Sequence, residues 1–146
     1  MTSHKHVHIL VVEDSEPDAT LLTKALTEMD IDVKIRVAKS GEEALDYVFK
    51  RNGFANCVDP DLIILDLNLP QIGGHQVLRE IKSDDCLRTI PVIVYTSSDN
   101  PEDVWWSYNL YANSYVVKTF DLQEVFSKIK EIGRYWFKTA TLARPI

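Results

Sequence analysis

The chain of 146 residues is 45% hydrophobic and 26% charged, the balance of a soluble globular protein large enough for one real core. A net charge of −6 argues against a nucleic-acid surface, which needs clustered Lys and Arg. No apolar run approaches the roughly 20 residues that span a bilayer, the short N-terminal apolar stretch ends in acids unlike a signal peptide, and Cys57 and Cys86 form no CxxC pair; a cytoplasmic protein with free thiols is expected.

Residues 7–13 (VHILVVE) are apolar and β-branched with little alternation, which predicts a strand covered on both faces. His4, His6 and His8 alternate as they approach it, a pattern that fits the start of a strand better than a metal site. Pro17 follows Ser15 and Glu16 and opens a helix over 17–29, with Leu21, Leu22, Ala25, Leu26 and Met29 at helical spacing. VKIRVA, 33–38, alternates as a half-covered strand does. Ser40, with Glu43 three residues on, has the pattern of a capping box and starts a helix running to about Arg51. A loop precedes DLIILDL, 61–67, a second doubly buried strand. The breaker-rich LPQIGG turn leads to a short helix at about 74–83, and PVIVYT is the fourth strand. A helix around 102–112, a fifth strand at 114–118 and a last helix capped by Asp121 follow. The apolar stripe of that last helix is Leu122, Val125, Phe126, Ile129, Ile132 and Trp136. Its basic end is the end of an amphipathic helix rather than a DNA-binding arm.

Five such βα units predict an α/β fold: a flavodoxin-like, doubly wound, five-stranded parallel sheet in the order 2-1-3-4-5, with helices on both faces. One domain is expected over 1–146, with its core at about 7–138. The remaining TATLARPI is too short to fold alone, and no linker to an effector domain is visible.

In an open parallel sheet the strand C-termini share one edge, and ligands bind there. Glu13 and Asp14, Asp66, Thr96 and Lys118 end four of the apolar runs and should meet at that edge. At about 4 Å and an effective dielectric near 20, each pair of carboxylates repels by roughly 4 kcal/mol, so one acid takes up a proton or a cation binds. Hard oxygen ligands around an open position suit Mg²⁺, with Glu13, Asp14, Asp66 and the backbone carbonyl of Asn68 within reach. Asp66 ends the central strand and is the best nucleophile, able to attack phosphorus and hold an acyl phosphate. Thr96 can donate its hydroxyl to a phosphoryl oxygen, and Lys118 can pair with another.

The motifs VVEDS, LDLNLP followed by Gly74, VYTSS and YVVK, in this order and spacing, resemble a bacterial two-component response-regulator receiver domain over about residues 7–137. The resemblance implies that Asp66 is the phosphoacceptor and that Asp14 and the Asn68 carbonyl bind Mg²⁺ directly, with Glu13 acting through water. It further implies that Thr96 is the switch hydroxyl, that Lys118 contacts the phosphoryl group, and that Tyr115 is the aromatic that changes rotamer with Thr96. Ordinary strand packing is the simpler reading of Tyr115 from the residues alone. DVWWSYNLYANSYVVK and the terminal RYW are similar to stand-alone regulators of phytochromes, which implies a light-sensing histidine kinase as phosphodonor. Two departures stand out. Thr119 follows Lys118 where the family usually has a Pro, often cis, and a cis bond before Thr would cost about 2.5–4 kcal/mol. Gly73-Gly74 replaces the common Asp-Gly, which should loosen the turn beside the site.

Trp105, Trp106, Tyr108 and Tyr111 surround the fourth helix more completely than packing on a sheet requires, and Tyr135 and Trp136 add to them, so an interface is expected. The family resemblance implies a homodimer through the fourth helix, fifth strand and fifth helix. The expected function is a signalling switch that catalyses its own phosphotransfer and is not a metabolic enzyme. Three alternatives are an aspartyl-nucleophile phosphatase, a flavin module and a phosphorylation-independent adaptor. The phosphatase would need an acid where Asn68 stands, and the flavin phosphate would meet Glu13 and Asp14.

Overall fold

The sheet is parallel throughout, in the order β2-β1-β3-β4-β5. The computed structural model describes residues 6–144, so His4 lies outside the described residues. The elements are β1 (Val7–Val12), α1 (Glu16–Thr27), β2 (Val33–Ala38), α2 (Gly41–Val48), β3 (Leu62–Leu65), α3 (Gly74–Ser83), β4 (Val92–Thr96), α4 (Pro101–Asn109), β5 (Ser114–Val117) and α5 (Leu122–Arg134).

Hydrophobic patterning explains the layering. Every residue of β3 and β4 is buried, as the continuous apolar runs require. The edge strand β2 alternates half-buried with exposed residues until Ala38. Leu10, Val12, Ile63, Leu65, Val92 and Val94 face α2 and α3 in one cluster. Ile9, Val11, Leu62, Ile64, Ile93 and Tyr95 face α1 and α5 in the other. Truncating a fully buried residue such as Leu65 to Ala should cost about 2–5 kcal/mol.

Side-chain caps set the helix starts. Ser15 accepts from the Asp18 N–H, Ser40 from Glu43, Asn100 from Glu102 and Asp121 from Gln123. The Glu43 carboxylate returns to the Lys39 N–H at 2.9 Å, one residue before its expected capping-box partner.

Three expectations change. The fourth helix ends at Asn109 rather than 112, because Tyr111 adopts φ 71°, a left-handed conformation that stops a helix. Leu122 is 54% exposed and lines a cleft with Leu21 and Val125 beside Lys118 instead of joining the core stripe. The Gly73-Gly74 turn is anchored rather than loose. Gly73 caps α3 at φ −72°, and the Gly74 N–H donates to Leu67 O at 3.0 Å. A Cβ on Gly74 would lie 2.5 Å from the carbonyl oxygen of Asp66, so α3 starts in direct contact with the end of β3.

The last helix widens after Arg134 into a π turn over Tyr135–Thr139, closed by the Ala140 N–H on Tyr135 O. Leu142 then packs against the α1–α5 side of the core, and Arg144 pairs with Asp61 at the start of β3. Both cysteines are free. No described helix is long and apolar enough to cross a membrane.

Candidate functional site

Register assembles the site. Val12 pairs with Leu65, so Glu13 and Asp66 emerge side by side. Leu65 pairs with Val94 and Thr96 with Val117, which brings the ends of β4 and β5 to the same edge. The main chain continues the ladder there, with the Asp66 N–H on Val12 O at 3.0 Å and the Lys118 N–H on Thr96 O at 2.7 Å.

Lys118 organises the cluster. Its Nζ lies 2.7 Å from Glu13 Oε1, 2.8 Å from Asp18 Oδ2 and 3.0 Å from Asp66 Oδ2. The side chains of Glu13 and Asp66 are 3% and 6% exposed, that of Lys118 12% and that of Asp18 40%. The ammonium also lies 5.6 Å from the centre of the Tyr95 ring. Burial pushes Glu13 up to about 7, against the pull of Lys118 and with help from the charge on Asp66. Burial also pushes Asp66 upward, but hydrogen bonds from the Asn68 N–H and Lys118 outweigh it and hold this carboxyl below its ordinary value. Burial disfavours the Lys118 ammonium, yet its carboxylate partners raise it overall. Of the two buried acids, Glu13 therefore keeps a proton first and Asp66 stays ionised, the state a nucleophile needs.

Asp14 is exposed at the mouth, and one oxygen each from Glu13, Asp14 and Asp66 lie within 4.8 Å of one another. This all-oxygen donor set suits a divalent cation. The Asn68 N–H donates to Asp66 Oδ1 at 3.1 Å, and its side-chain amide reaches the hydroxyl of Thr96 at 3.5 Å. Thr96 is completely buried. Tyr115 is turned toward the site's loop, its hydroxyl donating to Ser98 O at 2.8 Å. The Lys118–Thr119 bond is trans, since no cis peptide occurs among the described residues.

Asp18 escaped the sequence reading. An acid in the first turn of a helix ordinarily serves the helix dipole, and only the direction of α1 away from the sheet edge brings it back onto Lys118. Away from the site, Trp105, Trp106, Tyr108, Tyr111 and Tyr135 are all exposed, Tyr111 at 74%. Trp136 differs: it is half-buried against the core and meets Tyr135 edge to face at 5.1 Å.

Comparison with known proteins gives a consistent result. A family model described as response regulator receiver domain matches residues 9–130. The response regulator Rcp1 of Synechocystis is 39% identical over 134 residues, covering 92% of this chain and 91% of the relative. The crystal structure of the phosphorylated cyanobacterial phytochrome response regulator RcpA superposes with a TM-score of 0.93 at 40% identity, covering 96% of this chain and all of the other (100%). The Mn²⁺-bound form of Rcp1 gives a TM-score of 0.90 at 38% identity, covering 94% and 99%.

Proposed function

The chain belongs to the response regulator receiver family, and from that premise we propose that Asp66 accepts a phosphoryl group from a phosphohistidine on a sensor kinase. The observation that carries the reading is the ammonium of Lys118, held 3.0 Å from Asp66 Oδ2 across 52 residues of sequence, beside an ionised, buried carboxylate. In the reaction the N–P bond breaks, its electron pair returns to the imidazole nitrogen, and an O–P bond forms to Asp66. Lys118 holds a phosphoryl oxygen as charge develops. Thr96 donates its hydroxyl to a second oxygen and leaves its contact with the Asn68 amide. Tyr115 then follows Thr96 inward. When bound by Asp14, Asp66 and the Asn68 carbonyl, with Glu13 acting through water, Mg²⁺ supplies the positive charge that offsets carboxylate and phosphoryl repulsion. The phosphatase reading is weaker, because Asn68 cannot act as the general acid such enzymes place there.

The donor is a protein rather than a small phosphate ester. Phe120 is 100% exposed and Leu122 54%, beside the cleft that reaches Lys118. Two large apolar side chains in water at the rim of a polar site mark a surface that a protein covers. The similarity to RcpA, a phytochrome response regulator, supports a phytochrome kinase as that protein. The chain acts as a stand-alone receiver with its core at 7–138, a reading supported by its coverage of 91% of Rcp1. The exposed aromatics of α4, with Tyr135, support a homodimer through α4, β5 and α5.

Incubation with acetyl phosphate and Mg²⁺, followed by intact mass and gel filtration, tests this. One added phosphate, absent in Asp66→Asn, and a shift toward dimer are expected. No phosphate gain under any divalent-ion condition would overturn the reading.

A further inference from the structure

The fourth helix is held in an unusual way. A helix on a sheet normally buries an apolar stripe, yet the only fully buried residue of α4 is Ser107, at 0% exposure. Its hydroxyl donates to Asp103 O at 2.7 Å, which uses its one proton. His75 Nε2 lies 3.1 Å from the same oxygen. With the Ser107 proton on Asp103 O, His75 in its Nε2–H form donates to the hydroxyl oxygen. This is not a catalytic serine pair, since Ser107 is sealed from solvent and the Asp103 carboxylate is taken by Ser98 Oγ at 2.6 Å.

The position of His75 gives the bond its meaning. It is the second residue of α3, next to Gly74, whose missing side chain lets the helix rest on the Asp66 carbonyl. A continuous rigid path runs from the main chain of Asp66 through Gly74 and His75 to Ser107. It enters α4 from α3, whereas the path through Thr96, Ser98 and Tyr115 reaches α4 from the β4 side, through Ser98 and Asp103. A helix tied mainly by polar bonds can change position for the loss of one of them.

We propose that the His75–Ser107 hydrogen bond is a latch that keeps α4 docked, and that phosphorylation of Asp66 releases it through α3. His75 is then a positioning residue that sets how strongly phosphorylation is coupled to the aromatic face of α4. The proposal rests on Asp66 being the phosphoacceptor. Losing one buried hydrogen bond should move the docked-to-released ratio about tenfold. Because the coupling is a free energy shared by both events, the phosphorylation-dependent change should shrink by the same factor.

The test uses the full chain as wild type, His75→Ala, Ser107→Ala, the double variant and His75→Gln, which keeps a donor at similar reach. Phosphate uptake from acetyl phosphate and Mg²⁺ is read by intact mass. The state of α4 is read from Trp105 and Trp106 emission and from the dimerisation constant, with and without phosphate. Expected are normal uptake in all, an unphosphorylated association about tenfold tighter in His75→Ala and Ser107→Ala, a double variant no further changed, and recovery in His75→Gln. Uniform destabilisation would not compress the ratio between phosphorylated and unphosphorylated protein. Equal ratios in wild type, His75→Ala and Ser107→Ala, with phosphate taken up normally, would overturn the latch while leaving the phosphoacceptor reading intact. Absence of uptake in the wild type would instead overturn the phosphoacceptor reading, and the latch with it.

Discussion

Replacing Lys118 by Met removes one cation from among three carboxylates, two of them almost fully buried. Glu13 and Asp66 oxygens within 4.8 Å of each other then repel by about 3.5 kcal/mol at an effective dielectric near 20. Breaking a buried ion pair by deleting one partner costs a similar 3–5 kcal/mol. The protein has one way to reduce this loss, which is to keep Glu13 protonated. Glu13 sits at about 7 in the folded wild type against an ordinary 4.5, so the folded state binds the extra proton across that window. Its contribution to stability is thus fully present below about 4.5 and fades as pH rises through about 7. In Lys118→Met the carboxyl is pushed higher still, and the penalty grows with pH. Urea unfolding at pH 6 and pH 8 should show a loss of roughly 1–2 kcal/mol at the lower pH and roughly 3–5 kcal/mol at the higher, with unchanged m values. An equal loss at both would mean that Glu13 and Asp66 do not share the cation, and the electrostatic account of the site would fail.

Divalent-ion affinity should rise with pH up to about 7, because the proton on Glu13 opposes a second positive charge; titration calorimetry at pH 6 and 8 should differ by up to about tenfold per unit below that value. Asp14→Asn removes an exposed like charge from the cluster, and should stabilise the ion-free protein by about 1 kcal/mol while abolishing the stabilisation that millimolar Mg²⁺ gives the wild type in thermal melts. Gly74→Ala places a methyl 2.5 Å from the Asp66 carbonyl oxygen and 2.6 Å from Leu67 Cα, and should cost about 1–3 kcal/mol or more by chemical denaturation, since both neighbours are backbone. Asp18→Asn should leave phosphate uptake intact and raise its rate a few-fold in stopped-flow measurements with acetyl phosphate, because Lys118 is less committed; a rate falling to that of Lys118→Met would show that Asp18 positions the lysine.

The sheet and most of its edge were legible in the sequence because polar residues interrupting apolar runs are a local signal. Glu13, Asp66, Thr96 and Lys118 each end such a run, and parallel register does the rest. Asp18 left no comparable mark, since an acid in a first helical turn has a sufficient local explanation. Tyr111 hid the end of α4 because nothing in a tyrosine announces φ 71°. His75 carries no local pattern that marks it, because its partner is a serine 32 residues away on another helix. What stayed hidden depends on how helices lie over the sheet, and burial of one small polar residue does not disturb a hydrophobic pattern enough to be read.

The geometry of Lys118 also sets the order of events at the site. An ammonium has three N–H donors, and three carboxylates take all of them at 2.7, 2.8 and 3.0 Å. A phosphoryl oxygen can be held only if one partner is given up. Glu13 and Asp66, at 3% and 6% exposure, would be left in a dry environment without a counter-charge. Asp18, at 40%, can turn to water for its hydrogen bonds. The lysine therefore exchanges Asp18 for the phosphoryl group and keeps its hold on the buried pair. On this reading the contact between α1 and the site, made by Asp18, is the one that phosphorylation would break first, because it is the only one of the three whose acid can be resolvated by water.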